Sequence, residues 1–120
     1  MSNLNEVKVG LMEVEGALGC AIVDYTTGML LASEGAGVDL ELAAAGNSEV
    51  VKAKMKTMKS LGIDGGIEDI LITLDTQLHI IRPSTSNEGL FIYLVLDKAK
   101  ANLALARRKT ADLEKSMLRV

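Results

Sequence analysis

The stretch Leu90-Phe91-Ile92-Tyr93-Leu94-Val95-Leu96 offers no charged position to either face of a strand. A strand that is apolar on both sides needs cover above and below, which places it in the interior of a layered sheet rather than at a surface. The run falls far short of the ~20 residues a membrane helix requires. It therefore reads as the middle strand of a sheet covered on both faces. A chain of 120 residues forms one domain, 1–120, that buries roughly two thirds of the surface its unfolded form exposes. One sheet and one pair of covering layers account for it.

The other elements follow from periodicity and punctuation. Ser2 or Asn3 can cap a first helix in which Leu4, Val7, Leu11 and Met12 recur at helical spacing, until Gly16 and Gly19 break the pattern. Residues 18–23 read as a strand, Thr26-Thr27-Gly28 as a turn, and 29–33 as the returning strand of a hairpin. Asp39 can accept the free amides of a second helix over 39–60, which carries Leu40, Ala44, Asn47, Val51, Met55 and Met58 on one stripe. Lys52, Lys56 and Lys59 share a neighbouring stripe, and Ala43, Ala45 and Gly46 keep a flank small enough for a second backbone to approach.

A glycine-rich turn over 61–66 leads to a β-branched strand over 67–74. After the tight link Asp75-Thr76, a strand over 77–82 is ended by Pro83, and the polar loop 84–88 is expected to be the mobile piece. Beyond the central strand, Asp97 is expected to cap a last helix reaching about residue 118, with Ala99, Leu103, Ala106, Leu113 and Met117 inward. The order αββαβββα implies an α+β fold: a five-stranded antiparallel sheet with helices on both faces.

The chemistry-bearing residues exclude more than they suggest. His79 is the sole histidine, so no histidine triad or two-histidine metal site can form within one subunit, and a structural, hydrogen-bonded role is expected for it. The sole cysteine, Cys20, allows no internal disulfide and is expected to be a buried packing thiol. With no basic start or apolar core of a signal peptide at the N-terminus, a cytoplasmic location is expected. The turn over 62–66 lacks the Lys-Ser or Lys-Thr of a phosphate loop and ends a helix where such a loop would begin one. Glu13 with Glu15, and Glu68 with Asp69, are carboxylates whose side chains diverge along a helix or strand.

No enzymatic activity, metal or cofactor is expected on these grounds. A net charge of -3 and only 2% aromatic residues disfavour nucleic acid. The apolar share of 48% then calls for an interface with protein. Charge is unevenly placed: residues 1–49 hold eight acids against Lys8 alone, whereas Lys52, Lys54, Lys56, Lys59, Arg107, Arg108 and Lys109 follow. Such polarity can steer a partner.

In order and at their spacings, several segments together resemble the Roadblock/dynein light chain family, in its prokaryotic form, over nearly the whole chain. They are Gly16-Ala17-Leu18-Gly19-Cys20-Ala21-Ile22-Val23-Asp24 running through Gly28 to Leu30-Leu31-Ala32-Ser33, Leu42-Ala43-Ala44-Ala45, Glu68-Asp69-Ile70-Leu71-Ile72-Thr73, Leu78-His79-Ile80-Ile81-Arg82-Pro83, and Ala101-Asn102-Leu103-Ala104-Leu105-Ala106-Arg107. The resemblance implies a Roadblock/profilin-like fold and a homodimer in which the second helices pack across a two-fold axis and the third strands pair edge to edge. It also implies a non-catalytic scaffold: members serve dynein complexes and platforms for small Ras-like GTPases, and some prokaryotic members regulate such a GTPase.

Carried over by position, the dimer contact comprises Ala43, Ala44, Asn47, Val51 and Met55 on the helix with Ile67, Ile70 and Ile72 on the strand. Glu41, Glu49, Lys52, Lys56 and Lys59 should project beside that seam and are the expected contacts for a partner. The expected function is a homodimeric scaffold or regulatory module that recognises a small GTPase by shape and charge. The alternative is a small-molecule sensor with its pocket near the loop 84–88.

Overall fold

The computed structural model describes residues 3–118, so Ser2 as a helix cap lies outside the described residues. The chain runs α1 (Leu4–Met12), β1 (Ala17–Asp24), β2 (Met29–Gly35), α2 (Leu40–Ser60), β3 (Ile70–Thr73), β4 (Gln77–Pro83), β5 (Leu90–Asp97) and α3 (Leu103–Ser116). The strands form one sheet in the order β2-β1-β5-β4-β3, and every neighbouring pair is antiparallel. The all-apolar strand β5 is its middle, buried from Leu90 to Leu96. The α+β, five-stranded antiparallel architecture expected from the sequence is the one observed.

Strand alternation sorts the core into two layers. On one face Val7 and Leu11 of α1, Ala106 of α3 and Met117 just beyond its end pack against Cys20, Ile22, Leu78, Ile80, Ile92, Leu94 and Leu96. On the other, Leu40, Ala44 and Val51 of α2 pack against Ala21, Val23, Ile81, Phe91, Tyr93 and Val95. Gly10 lets α1 lie close to α3, since a Cβ there would meet Leu113 Cδ2 at 2.7 Å. Where β1 and β2 cross at Gly19 and Gly35, a Cβ on Gly35 would stand 2.5 Å from Gly19 Cα. That separation fits no side chain.

Several boundaries differ from the sequence expectation, each for a local reason. The Asn3 side chain does not cap α1; its Nδ2 donates to the Ser116 carbonyl at 2.9 Å and its Oδ1 accepts from the Leu118 amide at 2.7 Å, tying the start of α1 to the end of α3. Asp97 does not cap α3. It closes β5, with its amide committed to the Gly16 carbonyl and its Oδ1 accepting from the Ala99 amide, so the chain must turn off the sheet before a helix can start. Asn102 then caps α3 by accepting from the Leu105 amide at 3.1 Å, and Ala99 lies exposed in the turn.

Strand β3 is only four residues long. Extending the antiparallel register past Ile70↔Ile81 would set Glu68 opposite Pro83, which has no N–H to offer. Meanwhile Asp69 is drawn to Arg107. The loop 84–88 is tied down as well: Ser84, Thr85 and Ser86 each donate a hydroxyl to the buried carboxylate of Glu114, and Asn87 Nδ2 donates to the Leu118 carbonyl at 3.1 Å.

Candidate protein-interaction face

Helix α2 starts as its sequence directs: Asp39 is extended and its Oδ1 accepts from the Leu42 amide at 3.1 Å. At its other end Gly62 adopts φ +70°, its amide bonds the Lys59 carbonyl, and the Ile63 amide bonds the Met58 carbonyl. This pair of bonds is a Schellman termination, in which an apolar residue after the glycine meets the last turn of the helix. Met58 and Ile63 accordingly share the wall of an open cleft of about 360 Å³ with Met55, Lys59 and Ile67.

Helix α2 presents two unlike sides. Its inner side holds Ala44, only 1% exposed, and Val51, fully buried, against the sheet of the same subunit. Of the residues expected at a seam between two copies, these two are therefore already covered within their own chain. Ala43, Asn47 and Met55 are half-buried at the rim of α2, as are Ile67, Ile70 and Ile72 in and before β3. The outer side is open: Leu42 is 70% exposed, Ala45, Val50 and Ala53 are exposed, and a Cβ on Gly46 would meet nothing within 4 Å. Glu41, Glu49, Lys52, Lys56 and Lys59 are all exposed as well, with Lys52 Nζ paired to Glu49 Oε1 at 2.9 Å.

The sheet's two edges differ in how they meet solvent. Strand β2 is bulged at Leu31, where the register steps from Ile22↔Ala32 to Val23↔Leu30, and it carries Glu34, which lies 3.7 Å from Lys8. Bulges and charges blunt an edge against further pairing. Strand β3 has neither: Ile70-Leu71-Ile72-Thr73 is regular, uncharged and paired on one side only. Leu71 within it and Leu74 just after it are exposed.

The segment before β3 is held in place by charge. Asp69, with a side chain 8% exposed, takes a two-pronged bond from Arg107 of α3, Nε to Oδ2 at 2.8 Å and Nη2 to Oδ1 at 3.1 Å, and lies 4.0 Å from Arg82 of β4. Arg82 Nε is buried and makes no hydrogen bond. The Asp69 carboxylate holds the Arg107 guanidinium above its ordinary value.

Beneath α2, Gln77 Oε1 accepts from His79 Nε2 at 2.8 Å, and Tyr93 Oη lies 2.9 Å from His79 Nδ1. Since Gln77 Oε1 can only accept, Nε2 carries a proton in this pair, while the Tyr93 hydroxyl facing Nδ1 can donate or accept. Burial lowers His79 below the ordinary imidazole value and raises Tyr93. Because the fold disfavours the protonated ring, the unfolded chain binds more protons once pH falls through about 6.5, and stability declines there. Urea unfolding at pH 7.5 and 5.5 should give a lower midpoint at 5.5, with the difference reduced in His79→Gln.

Cys20 is fully buried, its thiol directed at the Lys8 carbonyl at 3.7 Å, and burial, with Glu34 next in weight, pushes it up to about 11. It packs as a small apolar group. Near the loop 84–88, the expected place of a sensor pocket, the hydroxyls close on Glu114, and a cleft of about 240 Å³ touches the loop through Thr85. Among the described residues, no group of three or more metal-ligating side chains converges and no helix is long and apolar enough to cross a membrane.

A sheet in the order β2-β1-β5-β4-β3, with one long helix on one face and the two terminal helices on the other, is the Roadblock/LC7 fold, and this chain has it. Three solved structures place it more closely. A Roadblock/LC7 domain from Streptomyces avermitilis superimposes with a TM-score of 0.81 at 20% identity, covering 96% of this chain and 94% of its own. MglB of Myxococcus xanthus gives 0.80 at 16% identity, over 94% and 92%. The gliding protein MglB of Thermus thermophilus gives 0.70 at 18%, over 93% and 88%. No protein-family model and no curated protein matches the chain by sequence. At these identities the likeness is one of fold.

Proposed function

We propose that the chain is a non-catalytic, homodimeric regulatory module whose partner is a small Ras-like GTPase. The observation that carries the self-association is the contrast between the two edges: β3 is an unprotected pairing edge, while β2 is blunted. The open flank of α2 around Ala45 and Gly46 supplies a second surface on which a copy could approach closely. Edge pairing of β3 would continue the sheet into the partner, and the half-buried Met55, Ile67, Ile70 and Ile72 would lose their remaining exposure. An interface of about 2,000 Å² is the size expected of an obligate pair.

The charged outer groups Glu41, Glu49, Lys52, Lys56 and Lys59 would then flank the seam and meet the GTPase. Support for that partner comes from the resemblance and from the likeness to the MglB folds, one of them a gliding protein. Light scattering at micromolar concentration should give twice the 12.8 kDa of one chain. A monomer there refutes the dimer. Capture of a GTPase from native lysate in one nucleotide state only supports the regulatory role, and capture in none counts against it.

A further inference from the structure

We propose that Ser84, Ser86 and Glu114 form one face of a binding site for a monovalent cation of sodium's size, where the loop between β4 and β5 crosses the end of α3. Glu114 is 2% exposed, and among the described residues it forms no ion pair. A carboxylate taken out of water is costly unless a cation faces it or it coordinates one. The groups that reach it are neutral, the hydroxyls of Ser84, Thr85 and Ser86.

The spacing of these oxygens points to an ion. Ser84 Oγ stands 3.3 Å and Ser86 Oγ 3.2 Å from Glu114 Oε2, and the two hydroxyl oxygens lie 3.3 Å apart. They form a nearly equilateral triangle, every side of which is longer than the about 2.5–3.0 Å of an O–H···O bond. Two hydroxyl protons cannot bridge three edges. In octahedral coordination neighbouring ligand oxygens sit about 3.3–3.7 Å apart around an ion of calcium's size, and about 2.9 Å apart around magnesium. The triangle fits the larger ion. Sodium has nearly calcium's radius and a single charge, which the one carboxylate balances, whereas calcium would leave a net positive charge among neutral oxygens.

The loop is built to hold these ligands. The Asn87 amide donates to Ser84 Oγ at 3.0 Å, occupying one lone pair and leaving the other for the ion. The Ser84 amide bonds the Leu90 carbonyl and the Leu90 amide bonds the Asn87 carbonyl, so backbone bonds set the shape of the loop. Ser86 is exposed, which gives the ion an entry from solvent and lets water complete its shell. Helix α3 packs on the face of the sheet opposite to α2, so the site stands whether or not the chain pairs with a second copy.

The test compares thermal unfolding of the full chain in sodium, potassium and choline chloride, each at about 0.2 M, where the sodium increment over choline should be about 3–6 °C. Potassium, too large for the triangle, should do less, and the Glu114 carboxyl carbon resonance should shift as sodium is added. Ser86→Ala removes an exposed hydroxyl and should fold normally while losing most of the sodium increment. Glu114→Gln should lose all of it. Equal midpoints in sodium and choline overturn the proposal, as does a potassium response equal to that of sodium or a full increment in Ser86→Ala. A rise with millimolar calcium that sodium does not reproduce overturns it too, in favour of a divalent ion. If Glu114→Gln fails to fold, Ser86→Ala and the carboxyl resonance of the unaltered chain decide the matter.

Discussion

Ala44→Glu should abolish the cooperative thermal transition, whereas Gly46→Arg, two residues further along α2, should fold at least as stably and lose self-association. The two positions share a helix but belong to different surfaces. Ala44 is 1% exposed in a layer made of Ala21, Val23, Ile81, Phe91, Tyr93 and Val95, which holds no ammonium or guanidinium. A carboxylate forced into such a layer is an unpaired buried charge, at about 3–5 kcal/mol, and the four added heavy atoms must also displace well-packed neighbours. Against a total stability of about 5–15 kcal/mol for a domain, that is enough to unfold it.

Gly46 faces open space, and replacing a helical glycine by a good helix former recovers about 0.8–1.0 kcal/mol. Its arginine would, however, stand where the backbone of a second α2 must come close. Circular-dichroism melts and light scattering on both variants check the pair. A folded, monomeric Ala44→Glu would mean that α2 does not pack on its own sheet as described. A dimeric Gly46→Arg would remove the open flank of α2 from the seam.

This contrast also shows where the sequence is readable. The apolar run over 90–96 marks a covered central strand because burial on both faces leaves no polar alternation, and β5 is indeed flanked by β1 and β4. Asp39 and the Leu-Gly-Ile at 61–63 mark both ends of α2, because capping chemistry is local. The apolar stripe of α2 is equally visible, but periodicity names a stripe without naming its partner. Ala44 and Val51 face the subunit's own sheet, and the exposed flank lies beside them.

Asp97 and Asn102 are both acceptable caps, and the choice falls to Asn102 because sheet hydrogen bonds hold the backbone through Asp97. Thr110 and Glu114 sit on the inward side of α3 with Ala106, so a polar residue at an apolar beat is the available signal for the buried carboxylate under the loop 84–88. The Gln77–His79–Tyr93 chain has no such signal. Two strands contribute to it, and no spacing in the sequence brings them together.

Asp69→Ala should lower stability by about 2–4 kcal/mol and should selectively loosen β3, while Arg107→Ala does less. The asymmetry comes from what each change leaves behind. Arg107 is half-exposed, so without it Asp69 keeps Arg82 nearby and water repairs the rest. Removing Asp69 instead strands Arg82, whose side chain is only 14% exposed and whose Nε already has no partner, as a buried cation without its carboxylate. The lost bond also has a mechanical role. Asp69 immediately precedes β3, and its two-pronged bond to Arg107 clamps the entry of that strand onto α3, where pairing with β4 has just stopped.

Amide exchange should therefore quicken at Ile70–Thr73 more than at β1 or β5 in Asp69→Ala. Self-association should weaken with it, because a strand that frays cannot template a second copy. If Asp69→Ala lowers the unfolding midpoint but leaves exchange in β3 unchanged relative to β5, the clamp is merely part of the global stability. If it unfolds the chain outright, Asp69→Asn, which keeps the volume and one acceptor oxygen, separates the loss of charge from the loss of the bond.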